Sequence, residues 1–83
     1  MDLYVFPNPT TDYINVIFDN PSADYVRIDI VDVLGNIISS PINKYCVEGI
    51  QTFNVGNLNL PLGAYFVRLN TSQATQMKSF VVR

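Results

Sequence analysis

Apolar residues in this chain recur at every second position, in short runs broken by proline, glycine, asparagine and aspartate. Successive side chains of a strand point to opposite faces, so such alternation predicts strands with one buried face. Ile14, Val16 and Phe18 share one parity within Tyr13 to Phe18, and Val26, Ile28 and Ile30 oppose Arg27 and Asp29 within Tyr25 to Val31. Phe53 and Val55 share a face in a run opened by Gly49. Tyr65, Val67 and Leu69 alternate with Ala64, Phe66 and Arg68, and the charge of Arg68 turns the first three inward. Leu3 to Phe6 and Gln76 to Val82 supply a first and a last strand. Ile37 to Ser39 is a short strand that Pro41 interrupts, and residues 42–48 read as an irregular edge strand. No window of about twelve residues carries a 3.6-residue apolar period with caps, so no helix is predicted. Six or seven short strands separated by turn signals predict an all-β fold, a small antiparallel β-sandwich.

The breaks between strands carry their own chemistry. Pro7, Asn8 and Pro9 stop the first run, removing two ladder donors and holding the chain extended before it turns. Asp19-Asn20-Pro21-Ser22 reads as a loop. Asp32 to Asn36 reads as a hairpin turn. Asp32 suits the first position, where its carboxylate accepts from the amide two residues on, and Gly35 supplies a left-handed residue. Thr71 to Ala74 is a second hairpin connection. Leu60-Pro61-Leu62-Gly63 reads as a tight corner. Tyr65, just after it, can turn its hydroxyl back onto upstream backbone, the tyrosine corner of Greek-key sandwiches. Leu58 and Leu60 are expected to plug the core from the preceding loop.

At 83 residues the chain is expected to be one domain, residues 1–83. An apolar content of 48% against 14% charged residues supports a folded core rather than disorder. The five basic residues are scattered and the net charge is −2, which excludes a basic stripe for nucleic acid. No apolar run reaches the roughly eighteen residues of a membrane span, and no secretory signal peptide is expected at the N-terminus. Cys46 is the single cysteine, so no internal disulfide is possible, and histidine is absent. Without histidine there is no triad and no usual zinc set, and neither a nucleophile elbow nor a phosphate-binding glycine loop is present. Cys46 reads as a buried or edge-strand residue. Asp19, Asp24, Asp29 and Asp32 lack the spacing of a calcium loop and read as turn and surface residues. No catalytic residue, metal or cofactor is therefore expected. Most aromatic residues read as core, with Tyr4, Tyr13, Tyr25 and Tyr45 as candidates for an exposed sugar-stacking patch. Asn70-Thr71-Ser72 matches a glycosylation sequon.

Four segments, in order, resemble the C-terminal sorting domain of type IX secretion cargo proteins, the Por-type signal of Bacteroidetes. Phe6-Pro7-Asn8-Pro9 looks like that family's aromatic-PNP opening, with Phe6 where the family often has Tyr. Asp32-Val33-Leu34-Gly35 is similar to its D-x-x-G turn. Leu60-Pro61-Leu62-Gly63-Ala64-Tyr65-Phe66-Val67 looks like its L-P-x-G-x-Y-x-V segment. Lys78 followed by Phe80, Val81 and Val82 resembles its basic-apolar ending, while residues 42–48 match no part of the pattern.

The resemblance implies an immunoglobulin-like β-sandwich that addresses a larger cargo protein rather than performing chemistry. It implies recognition in the periplasm by the outer-membrane type IX translocon, passage to the cell surface or beyond, and removal by a sorting peptidase. Pro7, Pro9, Asp32, Gly35, Pro61 and Gly63 are expected to hold shape first and to contact a receptor second. The last strand, with Lys78 and its apolar tail, is the best contact candidate, and its edge also allows a strand-paired homodimer. A fibronectin type III-like adhesion or spacer module, and a carbohydrate-binding module, stay open as alternatives, because sandwiches host all three roles.

Overall fold

Seven antiparallel strands build two sheets in the computed structural model, which describes residues 2–83. They are β1 (Leu3–Phe6), β2 (Ile14–Asn20), β3 (Asp24–Val31), β4 (Ile37–Cys46), β5 (Gly49–Val55), β6 (Gly63–Asn70) and β7 (Thr75–Val82). One sheet has the order β1-β2-β5 and the other β4-β3-β6-β7. Among the described residues there is no helix, and so none long and apolar enough to cross a membrane.

The inward parities are those the alternation predicts. Ile14, Val16 and Phe18 from one sheet meet Val26, Ile28, Ile30, Val67, Leu69, Phe80 and Val82 from the other in one buried cluster. Phe18 stacks on Phe53 at 6.2 Å. Leu58 and Leu60 pack against this cluster from the loop before β6. Asn57 and Asn59 both take left-handed backbone (φ 51° and 49°), a conformation asparagine tolerates better than other side chains. That alternation in the loop accompanies the inward packing of Leu58 and Leu60.

Four expectations need correction. Asp19 and Asn20 do not sit in a loop: β2 runs on through both. Asn20 is buried because its amide donates to the carbonyls of Cys46 (3.3 Å) and Val47 (2.8 Å), closing the turn between β4 and β5. Pro41 does not end the strand after Ser39: β4 continues to Cys46. Its pairing with β3 shifts between Ile28 and Ile30, where Pro41 sits, and an irregularity on an edge strand is where a missing N–H is tolerated. Asp29 is not a surface residue but fully buried. The tyrosines are mostly outside the core, with Tyr4, Tyr13, Tyr25 and Tyr45 all exposed. They form no single patch. Tyr25 and Tyr45 meet edge to face at 5.1 Å on the larger sheet, whereas Tyr4 belongs to β1 and Tyr13 precedes β2.

Candidate functional site: corner, turn and terminal clamp

The corner before β6 has the predicted form. The Tyr65 hydroxyl donates to the Pro61 carbonyl at 2.7 Å, and the Tyr65 ring stacks on Phe80 at 5.8 Å. Tyr65 thus ties Pro61 to the last strand, with Gly63 (φ 153°) between. Leu60 is half-buried, Leu62 is exposed, and Val67 is buried two residues beyond Tyr65. Removing one hydroxyl from such a bond costs about 1 kcal/mol. Tyr65→Phe is expected to lower stability by that amount with the fold retained, as read by urea denaturation. An unchanged midpoint would show that the bond contributes nothing.

The turn after β3 is built by Asp32. Its Oδ1 accepts from the amides of Leu34 (2.9 Å) and Asn36 (2.9 Å), and its backbone carbonyl accepts from Gly35 N–H (3.0 Å). Gly35 has φ 86°, which a side chain would resist, as the hairpin reading requires. The amide of Asn36 is the main reason the Asp32 carboxyl is held below its ordinary range. Asp24 acts similarly at the other end of β3: its Oδ2 accepts from Ser72 Oγ (2.6 Å) and Ser72 N–H (3.1 Å), bonds that lower its pKa. Asp32 is therefore a turn residue, whereas Asp24 belongs to β3 and ties that strand to Ser72; no group of potential metal ligands occurs among the described residues. Cys46 is buried, and burial pushes its thiol pKa up, away from nucleophile behaviour.

The first and last of the four segments form one structure. Peptide bonds Phe6–Pro7 and Asn8–Pro9 are both cis. Asn8 and Thr10 of the loop between β1 and β2 lie along the end of β7. Val81 N–H donates to Asn8 Oδ1 (2.9 Å), Thr10 N–H donates to the Val81 carbonyl (2.8 Å), and Arg83 N–H donates to the Thr10 carbonyl (2.8 Å). Thr10 and Val82 form a parallel bridge, and the buried Thr10 hydroxyl donates to the Tyr13 carbonyl. Phe6 is exposed beside this clamp, and Phe80 and Val82 are core residues. Lys78 is exposed at the middle of β7. Asp32 and Gly35 stand in a separate turn. Thr10 escaped the sequence reading although it directly follows Pro9.

A second cluster was also missed. Asp29 occupies the outward parity of β3 yet is wholly enclosed by polar side chains. Its Oδ1 accepts from Ser40 Oγ (2.6 Å) and Arg27 Nε (3.1 Å), and its Oδ2 from Arg68 Nη2 (2.9 Å) and Asn70 Nδ2 (3.0 Å). Burial pushes the carboxyl pKa up, but the bonds from Ser40, Arg68 and Asn70 and the charge of Arg27 outweigh it, and the net shift is downward. The cluster joins β3, β4 and β6 across the face of the larger sheet.

Among the described residues the polar side chains of this small two-sheet sandwich serve mainly turns and ties between strands. The family model of the secretion system C-terminal sorting domain matches residues 4–83, and the chain belongs to that family, the type IX sorting domains. That family is not an enzyme family. No curated protein matches the chain.

Proposed function

We propose that residues 1–83 act as one sorting domain that directs a larger cargo protein across the outer membrane. Family membership implies interaction with the type IX secretion machinery and export to the cell surface or the extracellular space. In the finer reading the domain folds in the periplasm, the outer-membrane translocon recognises it there, and a sorting peptidase removes it after passage. The observation that carries the reading is the match over residues 4–83, spanning all four motif segments. The segments take two parts. Pro7, Asn8, Pro9, Asp32, Gly35, Leu60, Pro61, Gly63, Tyr65, Val67, Phe80 and Val82 hold the outline, and Phe6 and Lys78 present side chains to the receptor.

Fusing residues 1–83 to an exported reporter in a type IX-competent host is expected to bring the reporter to the cell surface. A fusion lacking residues 80–83 is expected to stay in the periplasm. A reporter that stays in the periplasm with the whole domain attached overturns the proposal. Export that survives the trimming overturns the role of the last strand.

A further inference from the structure

Among the described residues, no strand pairs with the outer edge of β7, which is closed at one end by Asn8 and Thr10. At the closed end, Asn8 and Thr10 take both main-chain groups of Val81, and Thr10 takes the amide of Arg83. Pairing of β7 with β6 is unbroken from Val82↔Gly63 to Thr75↔Asn70. In an antiparallel strand both main-chain groups of a residue point to the same side and alternate along the chain. The N–H and C=O groups of Thr75, Met77 and Ser79 therefore point outward as those of Val81 do. Among the described residues no hydrogen bond meets them there. An edge of this kind is a template for another strand. Beside it, between β7 and β1, lies a cleft of about 340 Å³ lined by Asp2, Leu3, Tyr4, Gln76, Met77 and Lys78. Lys78 makes no ion pair among the described residues.

We infer that Thr75 to Ser79 is a strand-addition site for an extended segment of a secretion-machinery component. The segment pairs main chain to main chain with β7 and sends alternate side chains into the β1–β7 cleft. There the ammonium of Lys78 is available to an acidic side chain of the segment and the carboxylate of Asp2 to a basic one. The turn at residues 71–74 bounds the site at one end and Asn8 with Thr10 at the other, so a stretch of about five residues fits. The same bounds disfavour a second copy of this domain. An antiparallel pair centred on Met77 would set the second copy's 71–74 turn where Asn8 and Thr10 already sit against Val81.

This inference rests on the sorting reading, and the test separates the two. Met77→Pro removes one outward amide and leaves the ladder to β6 whole, a place where edge strands accept proline. Thr75→Pro does the same at the first strand residue and keeps the test decisive if Met77→Pro does not fold. Each is made in the reporter fusion, and its fold is checked by the melting temperature of the isolated domain. The expected result is a folded variant whose surface reporter falls by about tenfold or more and collects in the periplasm. A folded variant exported at the parental level overturns the inference and leaves the sorting reading intact. Failure of the parental fusion to reach the surface removes both. A concentration-dependent dimer abolished by Met77→Pro overturns it in favour of a second copy.

Discussion

Phe80→Ala is expected to destabilise the domain by about 3–5 kcal/mol, the usual cost of emptying a buried phenylalanine site. Phe80 is completely enclosed, stacks on Tyr65, and is part of the single core cluster shared by both sheets. At roughly 0.05–0.15 kcal/mol per residue, a chain of 83 residues has about 4–12 kcal/mol of stability in all. Losing Phe80 thus removes a large part of the total or all of it. Urea denaturation measures the change: with a slope of about 1 kcal/mol per molar, the midpoint falls by about 3 M or the variant is unfolded from the start. Phe6→Ala, at an exposed position, is the contrast and moves the midpoint little. A Phe80→Ala variant within about 1 kcal/mol of the parent would show that the last strand is not part of the core. Because export reads a folded shape in the reading proposed here, the same variant is expected to lose surface display.

Asp29→Ala is the second large effect. It leaves two guanidinium groups, one amide and one hydroxyl without their shared acceptor. Breaking a buried pair from one side costs about 3–5 kcal/mol. Arg27 is half exposed and turns to water, while Arg68 is largely covered, so the expected loss is near the lower end, about 3 kcal/mol. The sign of the pH dependence follows from the lowered carboxyl pKa of Asp29. Its folded value lies below the ordinary 3.8, so its stabilisation is present above that pH and is lost as pH falls through the folded value. Parental stability is therefore expected to drop on acidification below about pH 4, and the drop should be smaller in Asp29→Ala. Part of the drop persists in the variant, because Asp24 and Asp32 are shifted in the same direction. Identical acid titrations of the two proteins would remove Asp29 from the account.

What the sequence disclosed was local. Alternating residues set the inward faces of β2, β3 and β6, and Asp32 with Gly35 announced a turn whose bonds lie within five residues. The tyrosine corner was readable because Tyr65 and Pro61 are four positions apart. What stayed hidden depends on partners far along the chain. Parity placed Asp29 in water, because nothing in its neighbourhood shows that Arg68 and Asn70, about forty residues on, stand beside it. Asn20 looked like a loop residue for the same reason, its acceptors lying 26 and 27 positions away. Pro41 ended β4 on propensity, but an edge-strand irregularity absorbs it. Asn8 and the last strand each drew attention as motifs, but their union over 73 positions is a property of the topology.

That union bears on when the domain acquires its shape. Ribosomes deliver the amino terminus first, and here the opening loop is tied across the domain to Val81 and Arg83. β7 also fills one side of the core and joins β6 along its whole length. Contacts between distant parts of a chain form slowly, since the intervening loop must close before they are rewarded. A nascent chain therefore lacks this seam until β7 has left the ribosome, and the sandwich closes only when its last strand is available.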